Sequence, residues 1–260
     1  MIKNLYAALV EISLFGPIAV YTPYSSISSN AYPLPPPTTL VGALAYAYKR
    51  SLGDFKELAE DGSSPALELV ENGMVLYASA GIERPYTVSH SIEKVYQQIY
   101  LRTQHWRNIK MAYTIGARAI TIFDRLWLFY ILSREDVARY GYGITRLGRK
   151  ESLVSVERVF VTPIEKVVVK SSTCETGFYF PLNIASDYSP KDLWMEIDLP
   201  VLRKENFLKK GDVVEKYVLP KPFTFRKATV ELNENGVVLR ISIEDNKVFE
   251  IPVPRKVIES

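Results

Sequence analysis

The strongest constraint on the fold of this 260-residue chain lies at its start. Over residues 2–15 the side chains alternate with a period of two. Tyr6, Ala8, Val10, Ile12 and Leu14 fall on one face, and Leu5, Ala7, Leu9, Glu11 and Ser13 on the other. Successive strand residues point to opposite faces, so this stretch is a strand, expected at the centre of a sheet, and Gly16-Pro17 ends it. Met1-Ile-Lys-Asn before the apolar run Leu5 to Val10 has the outline of a leader peptide. Glu11 interrupts that run and no small-residue cleavage site follows, so a cytoplasmic strand is the expectation.

Residues 21–32 are too polar and punctuated for a regular element and read as a long ordered loop. Pro35-Pro36-Pro37-Thr38-Thr39 supplies a stiff lead-in and a capping hydroxyl for a helix beginning near Thr38, with Leu40, Val41, Leu44, Ala45 and Tyr48 on one face. Gly42 inside it costs about 1 kcal/mol relative to alanine. Either a close approach of backbone or ligand, or dense packing on the sheet, explains it. After the turn Asp61 to Pro65, a short helix is expected from Ala66 to Val70 and a strand from Met74 to Ala80, ended by Gly81. Ala117 to Ile122 and Arg125 to Leu132 are β-like and form one bulged strand or a tight hairpin about Phe123-Asp124. Ser133-Arg-Glu-Asp136 is a capping-box variant starting a helix through Tyr140, which Gly141 and Gly143 stop. Leu153 to Val161 is again a strand. The resulting βαββαβ order is that of a ferredoxin-like fold, as in RNA recognition motifs.

Beyond Pro163 the chain changes to short β segments, with hairpin signals at Asn235-Gly236 and Asp245-Asn246. The expectation is an α+β protein: a ferredoxin-like domain over 1–162, interrupted by an insertion at about 84–116, and a smaller, mainly β domain over 163–260. A chain of this length buries roughly 70–75% of its unfolded surface, so a sizeable core needs no staples. The single cysteine, Cys174, excludes an internal disulfide framework and reads as a small buried hydrophobe. The longest apolar run, Leu126 to Leu132, is far short of the roughly 20 residues that cross a bilayer. No metal or cofactor motif is present.

The net charge of +3 is unevenly spread. Residues 94–125 carry +5 and residues 139–150 carry +4, which leaves −6 for the rest. Such segregation suits a polyanion-binding surface on an acidic body, although charge runs are commonly solvated faces. Within the second run, Gly141, Gly143 and Gly148 sit among Arg146, Arg149 and Lys150. Glycine lets bare N–H groups approach an anion, and the cations would hold it there. A glycine-rich turn with solvated cations is the alternative. The spacing Gly143 to Gly148 approximates a nucleotide-phosphate loop, but Arg149 and Lys150 depart from its pattern and a strand follows where it needs a helix. From Arg84 to Ile115 polar, basic and aromatic residues interleave, including Tyr96, Tyr100, Arg102, His105, Trp106, Arg107, Lys110 and Tyr113. That suits single-stranded nucleic acid, with cations on phosphates and aromatics on bases. An amphipathic hairpin or helix with Trp106 in the core is the competing reading.

Pro35 to Gly42, Arg118 to Tyr130 and Leu147-Gly-Arg-Lys-Glu-Ser-Leu-Val-Ser-Val156, in this order and spacing, resemble the CRISPR-associated (Cas) protein family 5 of the repeat-associated RNA-binding (RAMP) superfamily, most closely its subtype I-A forms. The resemblance covers roughly residues 1–165. It implies a ferredoxin-like palm with a protruding thumb, here within 84–116, and a glycine-rich loop, here Gly141 to Ser152. It implies binding of the 5′ handle of CRISPR RNA at one end of a filament of family-seven backbone subunits, beside the large subunit of a Cascade-like antiviral complex. On this reading Arg146, Arg149 and Lys150, with the backbone around Gly148, grip phosphates and Ser152 adds a hydroxyl. Arg102, Arg107, Lys110 and Arg118 follow the RNA, and Trp106 or Tyr100 stacks or wedges. Subtype I-C relatives are metal-independent endoribonucleases, which makes precursor cleavage the alternative activity. His90 and His105 are the only histidines, and no spacing joins either to a lysine as an acid–base pair. A scaffold contacting only protein is the third possibility.

Overall fold

A computed structural model describes residues 4–22, 31–96, 113–208, 213–244 and 247–259, with the side chains of 91–96 and 113–118 left aside. The first part runs β1 (Tyr6–Leu14), α1 (Pro37–Ser51), α2 (Ala66–Glu71), β2 (Val75–Gly81), β3 (Thr87–Tyr96), β4 (Tyr113–Ile122), β5 (Arg125–Leu132), a 3₁₀ helix (Glu135–Gly143) and β6 (Val154–Pro163). Four of these strands form an antiparallel sheet in the order β2-β5-β1-β6, with β1 central as its pattern requires. Each face of β1 feeds a different core. Ala8, Val10 and Ile12 pack with Leu40, Val41 and Leu44 of α1. Leu5, Ala7 and Leu9 pack with Leu239, Ile241, Ile251 and Val253 from the C-terminal third. A strand covered on both sides has no solvent face to make polar, which is why its alternation is apolar on both registers.

The helix boundaries form without the hydroxyl caps that the sequence suggests. The N-cap of α1 is Pro36, with no side-chain cap bond, and Pro37 opens the first turn, where its missing N–H costs nothing. At the 3₁₀ helix the N-cap is Arg134 instead of Ser133. Ser133 follows directly on β5 and donates its N–H to Met74 O, just before β2, at 3.2 Å. Arg134 donates instead to both carboxylate oxygens of Asp136, at 3.0 and 2.6 Å. Gly141 and Gly143 do not stop this helix; they are its last turn, packed against neighbours. A Cβ on Gly141 would lie 3.0 Å from Val10 Cγ2, and one on Gly143 would lie 2.9 Å from Ala47 Cβ.

The segments around Phe123-Asp124 are neither a hairpin with each other nor one continuous strand. β4 pairs with β3 along its whole length as a separate two-stranded ribbon, and β5 pairs with β1 and β2. The ribbon prolongs the β2–β5 pair outward, with the register stepped by one residue: Gly81 faces Trp127, whereas Thr87 faces Ile122.

The C-terminal third comprises β7 (Val168–Val169), β8 (Thr173–Thr176), β9 (Phe180–Pro181), β10 (Ala185–Ser189), β11 (Trp194–Pro200), β12 (Val214–Pro220), β13 (Ala228–Leu232), β14 (Gly236–Ser242), β15 (Val248–Pro254) and α3 (Arg255–Glu259). They make three-stranded sheets β10-β13-β8, β11-β12-β9 and β15-β14-β7. β14 and β15 pair from Gly236–Pro254 to Ser242–Val248, while the expected turn at Asp245-Asn246 lies outside the described residues. Asn235-Gly236 is not a hairpin. It carries the chain from one sheet to another, and Gly236 is needed because a Cβ would sit 2.8 Å from Ile184 O. Cys174 is buried, and burial pushes its thiol up to about 12, which suits a packing role. Among the described residues no helix is long and apolar enough to cross a membrane.

Candidate nucleic-acid interface

Between the 3₁₀ helix and β6 the chain makes a tight two-armed loop. Val154 N–H donates to Thr145 O at 3.0 Å, Leu147 N–H to Ser152 O at 2.9 Å, and Ser152 N–H to Arg149 O at 3.0 Å. Leu147 is fully buried and anchors the neck in the core. Gly148 adopts φ +93°, and a Cβ there would lie 2.8 Å from Ala19 O. Only glycine fits both the backbone angle and the approach. Ser152 is also buried, its Oγ accepting the Ala19 N–H at 3.2 Å. Its hydroxyl therefore seats the loop on Ala19 and does not lie on the outer surface beside Arg149 and Lys150. Of the three glycines that mark the stretch in sequence, only Gly148 belongs to the loop.

The exposed tip carries Arg149, Lys150 and Glu151. Arg149 stacks its guanidinium over the Tyr21 ring at 3.9 Å from the centroid, and Arg146 lies over Tyr46 of α1 at 4.1 Å. Lys150 Nζ is 2.8 Å from a Glu57 oxygen, and Arg146 is 3.6 Å from the other. The hydrogen bond from Lys150 chiefly holds the Glu57 carboxyl below its ordinary range. Glu57 comes from the segment after α1, so the acid-free run in sequence acquires an acid in space. The sequence hides it because the partners lie far apart along the chain.

Gly42 faces this loop. A Cβ on it would meet nothing within 4 Å, so dense packing does not explain the residue. It opens on a groove of about 770 Å³ shared by Thr39, Tyr46, Glu57, Arg146, Arg149 and Lys150. Cationic and aromatic walls around an open floor can receive a phosphodiester backbone with one planar group.

The neighbouring β3–β4 ribbon lies partly within residues 84–116, where a thumb is expected. Its foot is fixed on the loop side, where Ile18 and Thr121 exchange two backbone hydrogen bonds of 2.9 and 2.8 Å. Ile18 adjoins Ala19, so loop and ribbon share one support. Arg118 lies on β4, opposite Ser91. Tyr100, Arg102, His105, Trp106, Arg107 and Lys110 lie outside the described residues. His90 is exposed on β3. Among the described residues no group of three or more His, Cys, Asp or Glu is placed to hold a metal.

No protein-family model matches the chain. The CRISPR-associated protein Cas5 3 and the CRISPR system aCascade subunit Cas5 1, both of Saccharolobus solfataricus, are each 29% identical to it over 176 residues, covering 66% of this chain and 70% of theirs. A crystal structure of a CRISPR protein from Archaeoglobus fulgidus aligns over 94% of this chain and 98% of its own, at 18% identity with a TM-score of 0.54, and so shares the fold. In sequence this chain is similar to Cas5 proteins, and in fold to a CRISPR protein.

Proposed function

We propose that this chain is the CRISPR RNA-binding subunit of a type I, Cascade-like surveillance complex, holding the 5′ handle and capping the filament of family-seven subunits beside the large subunit, as in subtype I-A. The observation that carries the reading is the loop seated on Ala19. It presents Arg149 and Lys150 outward at the foot of a two-stranded arm, in a chain similar to Cas5 proteins. The β2-β5-β1-β6 order, with α1 after β1 and the 3₁₀ helix before β6, supports a ferredoxin-like palm over 1–162, with 163–260 as the mainly β domain. The ribbon supports a thumb within 84–116. A cytoplasmic location follows from the partners.

The protein binds RNA chiefly through phosphates, so log K falls with log[salt]. Replacing Arg149 and Lys150 by Ala is expected to flatten the slope by about 1.4, from roughly 0.7 per phosphate contact on a single strand. An unchanged slope and affinity would remove the loop from the interface. The chain is read as a non-enzyme. Repeat RNA incubated with the purified protein in EDTA is expected to stay intact, and cleavage abolished by His105→Ala or His90→Ala would overturn that.

A further inference from the structure

A second basic and aromatic segment, Lys221-Pro-Phe-Thr-Phe-Arg-Lys227, joins β12 to β13. Phe223 stands in it at φ 70°, the one non-glycine residue with positive φ among those described, and the residue is 65% exposed. L side chains rarely adopt this region, and a ring in solvent gains no packing that would hold it there. Glycine or asparagine would form the turn more easily. What the chain keeps by placing Phe at this position is an outward aromatic face.

The turn that presents the ring is firmly docked. Phe223 N–H donates to Tyr86 O at 2.7 Å, buried Tyr86 donates its hydroxyl to Pro220 O at 2.7 Å, and Lys221 Nζ donates to Asp192 O at 2.9 Å. The Arg226 carbonyl accepts Trp194 Nε1–H at 3.0 Å, while the Arg226 and Lys227 side chains stay exposed and form no ion pair with any described residue. Phe225 is half-buried and packs on the main core.

Position adds the decisive point. Tyr86 lies at the foot of β3, on the ribbon edge opposite the one where Thr121 of β4 pairs with Ile18. The ribbon is only two strands wide, with about 4.8 Å between strands. The Lys221–Lys227 turn and the loop bearing Arg149 and Lys150 therefore flank the same foot from its two edges.

We propose that Lys221–Lys227 is a second contact for single-stranded RNA, with a base stacked on Phe223 and phosphates on Arg226 and Lys227, so that a strand gripped by the basic loop crosses the foot of the ribbon. The inference rests on the RNA-binding reading above. Glycine accepts φ 70° freely, so Phe223→Gly removes the ring while relaxing the backbone.

The test measures binding of the full chain to 20-nucleotide oligoadenylate and oligouridylate across a salt series, with thermal melting of each variant. Phe223→Gly is expected to melt no lower than the parent and to bind roughly tenfold more weakly, more so for the better-stacking adenylate. Phe223→Trp should keep the affinity and show fluorescence quenching by oligoadenylate. Arg226→Ala with Lys227→Ala should flatten the salt slope by about 1.4.

If these variants bind like the parent while Arg149→Ala with Lys150→Ala is weakened, the second contact is wrong and the RNA-binding reading stands. If the parent binds neither RNA, both fall. Should Phe223→Gly melt lower, the Phe223→Trp signal decides alone, and absence of quenching overturns the proposal.

Discussion

Two clusters of cations gather around one carboxylate each, and they do opposite things. Glu11 of β1 has a side chain only 1% exposed, with Arg125 and Arg158 each 2.7 Å from one of its oxygens. Burial pushes its carboxyl up, but the hydrogen bonds of Arg158 and Arg125 outweigh that and leave it below the ordinary range. Glu57 is 52% exposed, with Lys150 in contact and Arg146 at the margin of an ion pair. The first acid cannot leave without stranding two charges, so its arginines are committed to the fold. The second sits in water, where such pairs contribute little to stability, and a phosphate can take its place. Arg125, counted with the basic run of residues 94–125, is therefore committed to the buried Glu11, while Lys150 remains free to exchange partners. Charge counted along a chain locates cations; only the carboxylates that meet them show which ones are on offer.

The largest expected effect comes from breaking the interior cluster. Glu11→Gln should lower unfolding stability by roughly 2–3 kcal/mol. That is less than the 3–5 of a fully buried pair because Arg125 is half exposed and turns to water. A denaturant midpoint equal to the parent's would mean that the cluster is not structural. The pH dependence sharpens the same contrast. With its folded pKa depressed, Glu11 adds stability that is fully present above its ordinary value near 4.5 and lost as pH falls through the lower folded value. Stability of the parent minus that of Glu11→Gln should thus shrink on acidification, and a difference that grows would reverse the assignment.

Smaller effects are expected at the loop. Gly148→Ala meets both the positive φ and the Ala19 carbonyl, and should cost about 1–2 kcal/mol and weaken RNA binding as the neck lifts. Retained stability and affinity would show that the seat on Ala19 is dispensable. Smallest of all is Glu57→Gln. It should leave the melting temperature close to the parent's and strengthen RNA binding a few-fold at low salt, an advantage that fades as salt screens it. Weaker binding would mean that Glu57 positions Lys150 rather than competing with phosphate.

Much of the four-stranded sheet and its helix was legible because it is written in short-range patterns. The two-faced alternation of residues 5–14 fixed a central strand, and the apolar face of α1 was visible in Leu40, Val41 and Leu44. What escaped depends on contacts distant in sequence. Gly141 and Gly143 read as loop residues, yet Val10, Val159 and Ala47 explain them. Ser133 has the identity of a cap, but its backbone N–H is bonded to Met74 O. Asn235-Gly236 has the composition of a hairpin, but the strands on its two sides join different sheets. Ser152 carries a hydroxyl suited to a ligand and spends it on Ala19. The Lys221–Lys227 turn shows the same interleaving that marks residues 84–115, but it is short and gains meaning only from its bond to Tyr86.

The ribbon has a further consequence. Because β3 and β4 continue β2 and β5 without contributing to the four-stranded sheet, their length is decoupled from the core. Each strand rises about 3.4 Å per residue, so inserting one residue in each lengthens the arm by that amount and exchanges its two faces. Inserting two restores the faces and adds about 7 Å. The arm is in this sense a ruler with a fixed graduation: its reach changes in whole steps while the four-stranded sheet that carries it stays the same.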